Sequence, residues 1–179
     1  MKRALIIAGM VATTLVGGLL FDVSANAEDR LPMTDEHIAR IRANCVDAQA
    51  TLFQLHASDA GLRVNRGQIY ESLSTKLMTP FNLRLVLNRI DGATLVTAAA
   101  EYERQLQAFR NQYQEYDQAM TTTLRMNCVK QPVAFYDSVT DARQKRQLTH
   151  ESTVELHKTI EKYGNEVDAL AKNFEAQTP

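Results

Sequence analysis

Glycine and proline are scarce in this sequence, which contains seven glycines and four prolines among 179 residues. Only four of the glycines lie beyond residue 27, at Gly61, Gly67, Gly92 and Gly164. A β-sandwich or β-barrel requires turn residues about every 8–12 positions. The long stretches without such residues therefore argue against both architectures and favour long α-helices.

The sequence also lacks the motifs that mark common catalytic and cofactor sites. It has no His-Glu-x-x-His motif, no paired cysteines at zinc spacing, no haem-attachment motif, no glycine-rich phosphate loop and no nucleophile elbow. The four histidines are expected to be solvated: His37, His56, His150 and His157. We therefore predict no catalytic residue, no metal site and no cofactor, and we expect the protein not to be an enzyme.

An excess of either charge is absent as well. The chain has 20 lysines and arginines and 21 aspartates and glutamates, so its formal net charge is −1 at pH 7. Proteins that bind nucleic acids or anionic membranes usually carry a clear positive excess on one surface. The near balance argues against nucleic acid and against a membrane surface as the main partner.

The N-terminal segment has the three parts of a secretory signal peptide. Lys2 and Arg3 form a basic start, residues 4–21 carry no charge, and Ala25 and Ala27 are the small residues that a signal peptidase accepts. An uncleaved membrane anchor is the alternative, because the apolar run is long for a signal peptide. The sequence thus predicts an exported protein, periplasmic or extracellular, with a signal peptide at 1–27 and a single helical-bundle domain at 28–179.

Proline positions divide the predicted helical domain. Proline is tolerated in the first turn of a helix and disfavours helix in the residue before it. Pro80 and Pro132 are therefore each predicted to end one helix and begin the next, with Thr79 as the cap before Pro80. Thr34 is the predicted N-cap of the first helix, because acidic residues follow it in the first turn, where the helix dipole favours anions.

Apolar residues recur at alternating steps of three and four along three arms, at 38–73, 81–120 and 135–174. A spacing that averages 3.5 residues implies coiled-coil packing, and short links force neighbouring helices to be antiparallel. The predicted fold is therefore all-α: an elongated antiparallel bundle of three long helices with coiled-coil-like packing, plus a short helix near 80–91.

Cys45 and Cys128 are the only cysteines. Exported chains usually pair such cysteines. If the second arm were one straight helix, Cys128 would lie about 22 Å along the axis from the level of Cys45, whereas a disulfide needs Cα atoms within about 7 Å. If instead the chain breaks at Gly92 and the return arm begins near Ala93, the two cysteines come level. We therefore predict a Cys45–Cys128 disulfide, with two buried free thiols as the alternative.

The segment 56–70 departs from the apolar pattern, since Asp59 and Arg66 occupy positions of the first seam. Asp59 and Arg63 are four residues apart and can pair on one helix face. The short helix adds further polar side chains opposite them, Arg84 and Asn88. Two interpretations stay open: a paired polar layer that sets helix register, or a site for an anion or small ligand. The sequence favours the polar layer, because nearby acids suffice to pair part of the arginines.

The third arm contains a short basic run, Arg-Gln-Lys-Arg at 143–146. We interpret this run as a solvated face, because acidic residues follow it. Arg146, Thr149 and Thr153 interrupt the apolar seam, so looser packing is expected in the middle of this arm. Three tyrosines of the second arm are interpreted as core aromatics: Tyr102, Tyr113 and Tyr116.

The absent chemistry and the scarcity of loops favour an exported, non-enzymatic bundle with a structural or protein-binding role at the cell envelope, because catalytic residues usually lie on loops. Its partners would be proteins, either another chain or further copies in a homo-oligomer. A membrane partner is expected only through an uncleaved signal anchor. Two alternatives stay open: a sensor or carrier bundle that binds a small anionic ligand between helices, and a periplasmic holdase chaperone.

We expect the mature protein to begin at Glu28, because Ala25 and Ala27 fit the small-residue requirement of signal peptidase. The intact mass of protein purified from an exporting host checks this. The Ala27→Arg variant is the matched control and should keep its N-terminal segment. An exported wild-type chain that still begins at Met1 would favour the membrane-anchor alternative.

Overall fold

The structure, a computed structural model, describes residues 33–177. All regular secondary structure in this range is helical, and it contains no strand, which confirms the all-α prediction. The predicted signal peptide and its cleavage site lie outside the described residues. None of the helices between residues 33 and 177 is both long enough and apolar enough to cross a membrane.

The predicted first arm is divided into several helical segments. Thr34 caps the first of them as predicted, because its backbone is extended and its side chain accepts a hydrogen bond from the His37 N–H at 3.3 Å. A break follows at Asn44, whose side-chain amide donates to the Arg40 carbonyl at 2.9 Å. The segments are α1 (Asp35–Ala43), α2 (Cys45–Ser72) and a π-helical segment (Leu73–Met78), and α3 (Thr79–Leu87) follows at the position of the predicted short helix.

The chain passes Pro80 without the capped helix start predicted there. The backbone of Thr79 is helical (φ −61°, ψ −51°), and its N–H bonds to the Ser74 carbonyl, the five-residue step of a π-helix. Proline cannot donate a backbone hydrogen bond, and its ring crowds the carbonyl four residues earlier. The wider π-turn before Pro80 gives the ring room, so Thr79 does not act as an N-cap and that prediction is wrong.

The short helix ends earlier than expected, at Leu87. Arg89 adopts the left-handed conformation, with φ 56°, and the Ile90 N–H bonds back to the Leu85 carbonyl at 2.9 Å. This is the pattern that commonly terminates α-helices, although glycine usually occupies the left-handed position. Gly92 serves close packing instead, because a Cβ there would lie 2.7 Å from Cδ1 of Leu85. The helix break predicted before Ala93 is present, but the residue whose left-handed backbone ends the helix is Arg89 and not Gly92.

Two long helices follow, α4 (Ala93–Arg125) and α5 (Pro132–Gln177). They pack against each other as predicted, and α2 contacts α4 over a shorter stretch. Pro132 is the first residue of α5, where a missing N–H has no cost. The main apolar cluster is built from α2, α3, α4, α5 and the π-helical segment, with these buried residues: Tyr70, Met78, Leu85, Leu95, Ala98, Tyr102, Leu106, Phe109, Leu156 and Tyr163.

A second apolar cluster surrounds the disulfide between Cys45 and Cys128, whose Cα atoms are 5.7 Å apart. Both cysteines are buried, at 5% and 0% exposure, and they pack against Phe135 of α5. The side-chain amide of Gln49 donates to the Met126 carbonyl at 2.8 Å beside them. The start of α2 is thus attached to the connection between α4 and α5 by a covalent bond and a hydrogen bond.

We expect Cys45→Ser/Cys128→Ser to lower the free energy of unfolding by about 4 kcal/mol, because the bridge closes a long loop in the unfolded chain. Urea denaturation of the variant, beside reduced and oxidised wild-type protein, measures the loss. The reduced wild type controls for the changed packing of serine. Two titratable thiols in denatured, unreduced protein would show that the bridge is not formed.

Candidate functional site

A cleft of about 630 Å³ lies where α2, α4 and α5 meet. Its volume falls within the range of about 300–1,000 Å³ that is usual for small-molecule sites. Helix α4 contacts both neighbours and supplies the aromatic floor, Phe109, Tyr113 and Tyr116. The wall from α2 contains Asp59, Leu62, Arg63, Arg66 and Tyr70, and the wall from α5 contains Arg143, Arg146, Gln147, Thr149, His150, Thr153 and His157.

Asp59 bridges the cleft near one end through an ion pair across to α5. The Arg146 guanidinium donates twice to this carboxylate, from Nε to Oδ2 at 2.6 Å and from Nη2 to Oδ1 at 3.0 Å. The Tyr116 hydroxyl donates to Oδ2 at 2.7 Å. Because the Asp59 side chain is only 12% exposed, whereas that of Arg146 is 48% exposed, the pair lies at the boundary between interior and solvent.

The environment of Asp59 keeps the carboxylate ionised. Burial alone would raise its pKa, but the hydrogen bonds from Arg146 and Tyr116 and the charge of Arg146 outweigh burial and lower the pKa below its usual value. Burial, the hydrogen bond to Asp59 and the negative charge of Asp59 all raise the pKa of Tyr116. Tyr116 therefore remains a protonated hydrogen-bond donor at neutral pH.

Tyr70 closes the opposite end. Its hydroxyl lies 2.8 Å from Nε2 of His157 on α5 and is hydrogen-bonded to it. Its ring packs edge-to-face on Phe109, with centroids 5.6 Å apart. The Tyr102 hydroxyl donates to the Tyr70 carbonyl at 2.8 Å, where α2 passes into the π-helical segment. Burial raises the pKa of Tyr70 against the opposing charge of Arg66, so the hydroxyl stays protonated.

The two end bridges define the length of the cleft. Asp59–Arg146 and Tyr70–His157 have the same sequence separation, 87. The residue offset between α2 and α5 is therefore the same at both bridges. At 1.5 Å per residue, the span from Asp59 to Tyr70 is about 16 Å.

Small side chains on α5 keep this span open. Thr149 and Thr153 line it, and their hydroxyls bond to their own helix at 3.0 and 2.9 Å. Larger apolar residues in these seam positions would project further toward α2. The looser packing predicted from the interrupted seam therefore corresponds to the open middle of the cleft.

Arginine dominates the charge of the cleft. Arg63, Arg66, Arg143 and Arg146 line it beside a single carboxylate, that of Asp59. Arg146 forms an ion pair with that carboxylate, and among residues 33–177 the other three arginines have no acidic partner. The Arg63 guanidinium instead lies over the Tyr113 ring, 5.5 Å from its centroid. The cleft is therefore positively charged although the whole chain is nearly neutral.

The structure brings together only part of the predicted polar site. Asp59, Arg63 and Arg66 share the cleft, but Asp59 pairs with α5 and not with Arg63. Arg84 and Asn88 lie outside it on exposed positions in α3 and just after its end, where the Asn88 side-chain amide donates to the Arg84 carbonyl at 2.7 Å. The π-helical segment separates them along the chain from the α2 wall.

Sequence reasoning missed the basic residues of the opposite wall. Arg143 and Arg146 are exposed, as a solvated face predicts, but that face is also one wall of the cleft. The interrupted seam at Arg146 was the signal that could have placed them there. His150 and His157 are exposed as expected, and they line the same wall. Within the part of the chain that the structure describes, no cluster of histidine, cysteine and acidic residues could hold a metal ion.

We expect Asp59→Ala to lower the free energy of unfolding by about 2 kcal/mol at pH 7, because it leaves the buried Tyr116 hydroxyl without its acceptor and removes a charge-assisted pair. The size lies between the values for buried and exposed pairs, since Arg146 is half exposed. Urea denaturation measures the difference. Asp168→Ala, at an exposed position on α5, is the matched control and should cost far less.

The same pair should make stability depend on acid. A carboxylate whose pKa is lowered by folding stabilises the protein above its unfolded pKa of about 3.9, and this contribution is lost as pH falls through the folded pKa. The difference between wild type and Asp59→Ala should therefore shrink between about pH 4 and pH 2. Equal stability of the two proteins at pH 7 would contradict the structural role of Asp59.

No protein-family model, curated protein or solved structure matches this chain. A function is therefore inferred from the chemistry of the cleft and of the exposed surface. The decisive features are the unpaired arginines, the aromatic floor and the two bridges that close the ends.

Proposed function

We propose that this protein is an exported, non-enzymatic helical protein that binds a small organic anion in the cleft between α2, α4 and α5. The observation that carries the proposal is the set of three arginines, Arg63, Arg66 and Arg143, that line a cleft of about 630 Å³ without an acidic partner. Guanidinium groups bind carboxylates and phosphates through paired, charge-assisted hydrogen bonds.

The charge balance favours a ligand site over the polar layer that the sequence suggested. A layer that only sets helix register would pair its charges, whereas Arg63 is half-buried without an acidic partner and Arg66 and Arg143 are exposed. Here Asp59 neutralises Arg146 alone. Like charges that line one cleft repel each other, and a bound anion would relieve that repulsion.

A binding role is supported better than catalysis. The single carboxylate of the cleft is engaged by Arg146 and Tyr116, so it is not available to take up a proton from a substrate. The hydroxyls of Thr149 and Thr153 bond to backbone carbonyls of α5. Neither hydroxyl is hydrogen-bonded to a histidine or a carboxylate among residues 33–177, so neither is held for activation as a nucleophile.

Export is proposed from the N-terminal segment together with the disulfide. The Cys45–Cys128 pair suits an oxidising compartment such as the periplasm or the exterior. We also propose that coiled-coil-like packing extends to three long helices, α2, α4 and α5. The packing of α4 against both α2 and α5 and the equal sequence separation of the two bridges support this, because a constant register over three turns is a property of coiled coils.

A second candidate function is a structural or protein-binding role, which the exposed apolar side chains favour. On α2, Val46 and Phe53 are one heptad apart and 76% and 64% exposed. On α3, Leu83, Val86 and Leu87 are 57%, 65% and 72% exposed. Apolar surface of this kind commonly marks protein contacts. The partner would be another envelope protein or a second copy of the chain, and an aggregation-suppression assay would identify a holdase chaperone.

We expect organic anions to raise the melting temperature of the wild-type protein, since a ligand that binds only the folded state stabilises it. A panel of carboxylates, sulfonates and phosphate esters is screened by thermal shift, and binders are measured by titration calorimetry. Arg66→Ala should weaken binding about tenfold, the loss expected for one charge-assisted contact, and should leave the melting temperature of the unliganded protein unchanged or higher.

Arg84→Ala is the matched control, because it removes the same charge from an exposed position outside the cleft. It should leave the affinity unchanged. Equal weakening by Arg84→Ala and Arg66→Ala would indicate general charge attraction and count against the cleft. A panel in which no anion stabilises the protein would favour the protein-binding role instead.

A further inference from the structure

The unpaired charge is concentrated in the middle of the cleft. Arg63 and Arg66 lie on α2 between the two end bridges. The bridges pair residues that are separated by 87 positions, and the same offset puts His150 at the level of Arg63 on the opposite wall. Gly67 lets the Arg63 side chain lie along α2, because a Cβ there would approach the Arg63 guanidinium at 3.3 Å. An anionic group is therefore best received between Arg63, Arg66 and His150.

The surface beneath this group is aromatic. The Arg63 guanidinium lies over the ring of Tyr113. Phe109 lies one turn away from Tyr113 on the same helix. Aromatic pairs gain stabilisation beyond burial when rings meet edge-to-face or offset. A planar ring placed here would contact both aromatic residues and the face of the Arg63 guanidinium.

The ends of the cleft limit the number of acidic groups in the ligand. Asp59 is held ionised at one end, so a second acidic group placed there would be repelled. The other end is closed by Tyr70, an uncharged donor that is already bonded to His157. Arg143 precedes Arg146 on α5 and thus lies beyond the Asp59 bridge. Arg143 also lines the cleft, but the span between the two bridges, about 16 Å long, has its unpaired positive charge around Arg63 and Arg66.

Compact inorganic anions suit this site poorly. Phosphate or sulfate would fill a small part of about 630 Å³ and would leave the partly exposed ring of Tyr113 without an apolar partner. A neutral aromatic molecule would cover the floor but leave the two guanidinium groups without a partner. The complementary ligand has one apolar, planar part and one anionic part.

We infer that the cleft takes an aromatic monoanion, a planar body of one or two rings that carries a single carboxylate or sulfonate. The acidic group lies between Arg63, Arg66 and His150, and the ring lies over Tyr113 and Phe109. This inference rests on the proposed function and names the ligand class for the same site.

Titration calorimetry with matched probes tests the inference on the full-length mature protein. The probes are 2-naphthoate, its neutral counterpart 2-naphthamide, acetate, inorganic phosphate and the dianion 2,6-naphthalenedicarboxylate. We expect 2-naphthoate to bind about tenfold or more tightly than each of the others, because it alone matches both the floor and the single charge. Naphthalene-2-sulfonate should bind like 2-naphthoate, since the guanidinium groups donate hydrogen bonds to either anion.

Two variants separate the ring contact from the charge contact. Arg66→Ala should weaken 2-naphthoate about tenfold and leave 2-naphthamide unchanged, because only the charged probe uses the guanidinium. Tyr113→Leu should weaken 2-naphthoate and 2-naphthamide alike, because both use the ring. Arg84→Ala should change neither affinity. The melting temperature of each unliganded variant confirms that it is folded before its affinity is compared.

The outcomes distinguish this inference from the proposed function. If phosphate or the dicarboxylate binds most tightly and Arg66→Ala weakens that binding, the cleft is an anion site but its ligand is not an aromatic monoanion. If 2-naphthamide binds as well as 2-naphthoate, the charge is irrelevant and both proposals fail. If none of the probes binds, both proposals fail as well.

Discussion

The register of α2 against α5 is the constraint on which the cleft depends. It is set by the Asp59–Arg146 ion pair and the Tyr70–His157 hydrogen bond, which join the same two helices at the same offset. Between them the walls are held apart, and the floor is left to α4. A shift of either helix by one turn would break both bridges and bring Arg63 opposite a different side chain. The ends of the cleft are therefore structural, and the middle is available for a ligand.

The residues in the middle of the cleft contribute little to the stability of the fold. Arg63 and Arg66 carry charge without an acidic partner among the described residues, and Thr149 and Thr153 stand where apolar side chains would have filled the space. Such groups add little to packing, and binding sites commonly keep residues of this kind because they serve the ligand. The nearby Asp59 pair shows the contrast, since its carboxylate has every hydrogen bond that burial requires.

The helical fold follows directly from sequence, because scarce glycine and proline and a seam of period 3.5 leave few alternatives. The break before Ala93 and the level placement of Cys45 and Cys128 were predictable from geometry alone. The π-helical passage through Pro80 was not, since a local pattern cannot distinguish a capped start from a widened turn. The partner of Asp59 was also missed: a spacing of four suggested Arg63, but the closer partner came from a helix 87 residues away. The alignment of one helix with another in the folded protein determines such pairings, and the residue spacing within one helix does not reveal it.

The disulfide and the main apolar cluster support the cleft from opposite sides. Cys45 lies about 21 Å along α2 from Asp59 and ties that end of the helix to the start of α5 through Cys128 and Phe135. Beyond Tyr70, the apolar cluster anchors the other end of α2 to α4. Repulsion among the arginines acts between these two anchors and cannot separate the helices without breaking one of them. Because α2 is anchored at both ends, the cleft between the anchors can stay charged and incompletely filled. Side-chain contacts of α2 with α4 and α5 alone would not be enough to hold it in place.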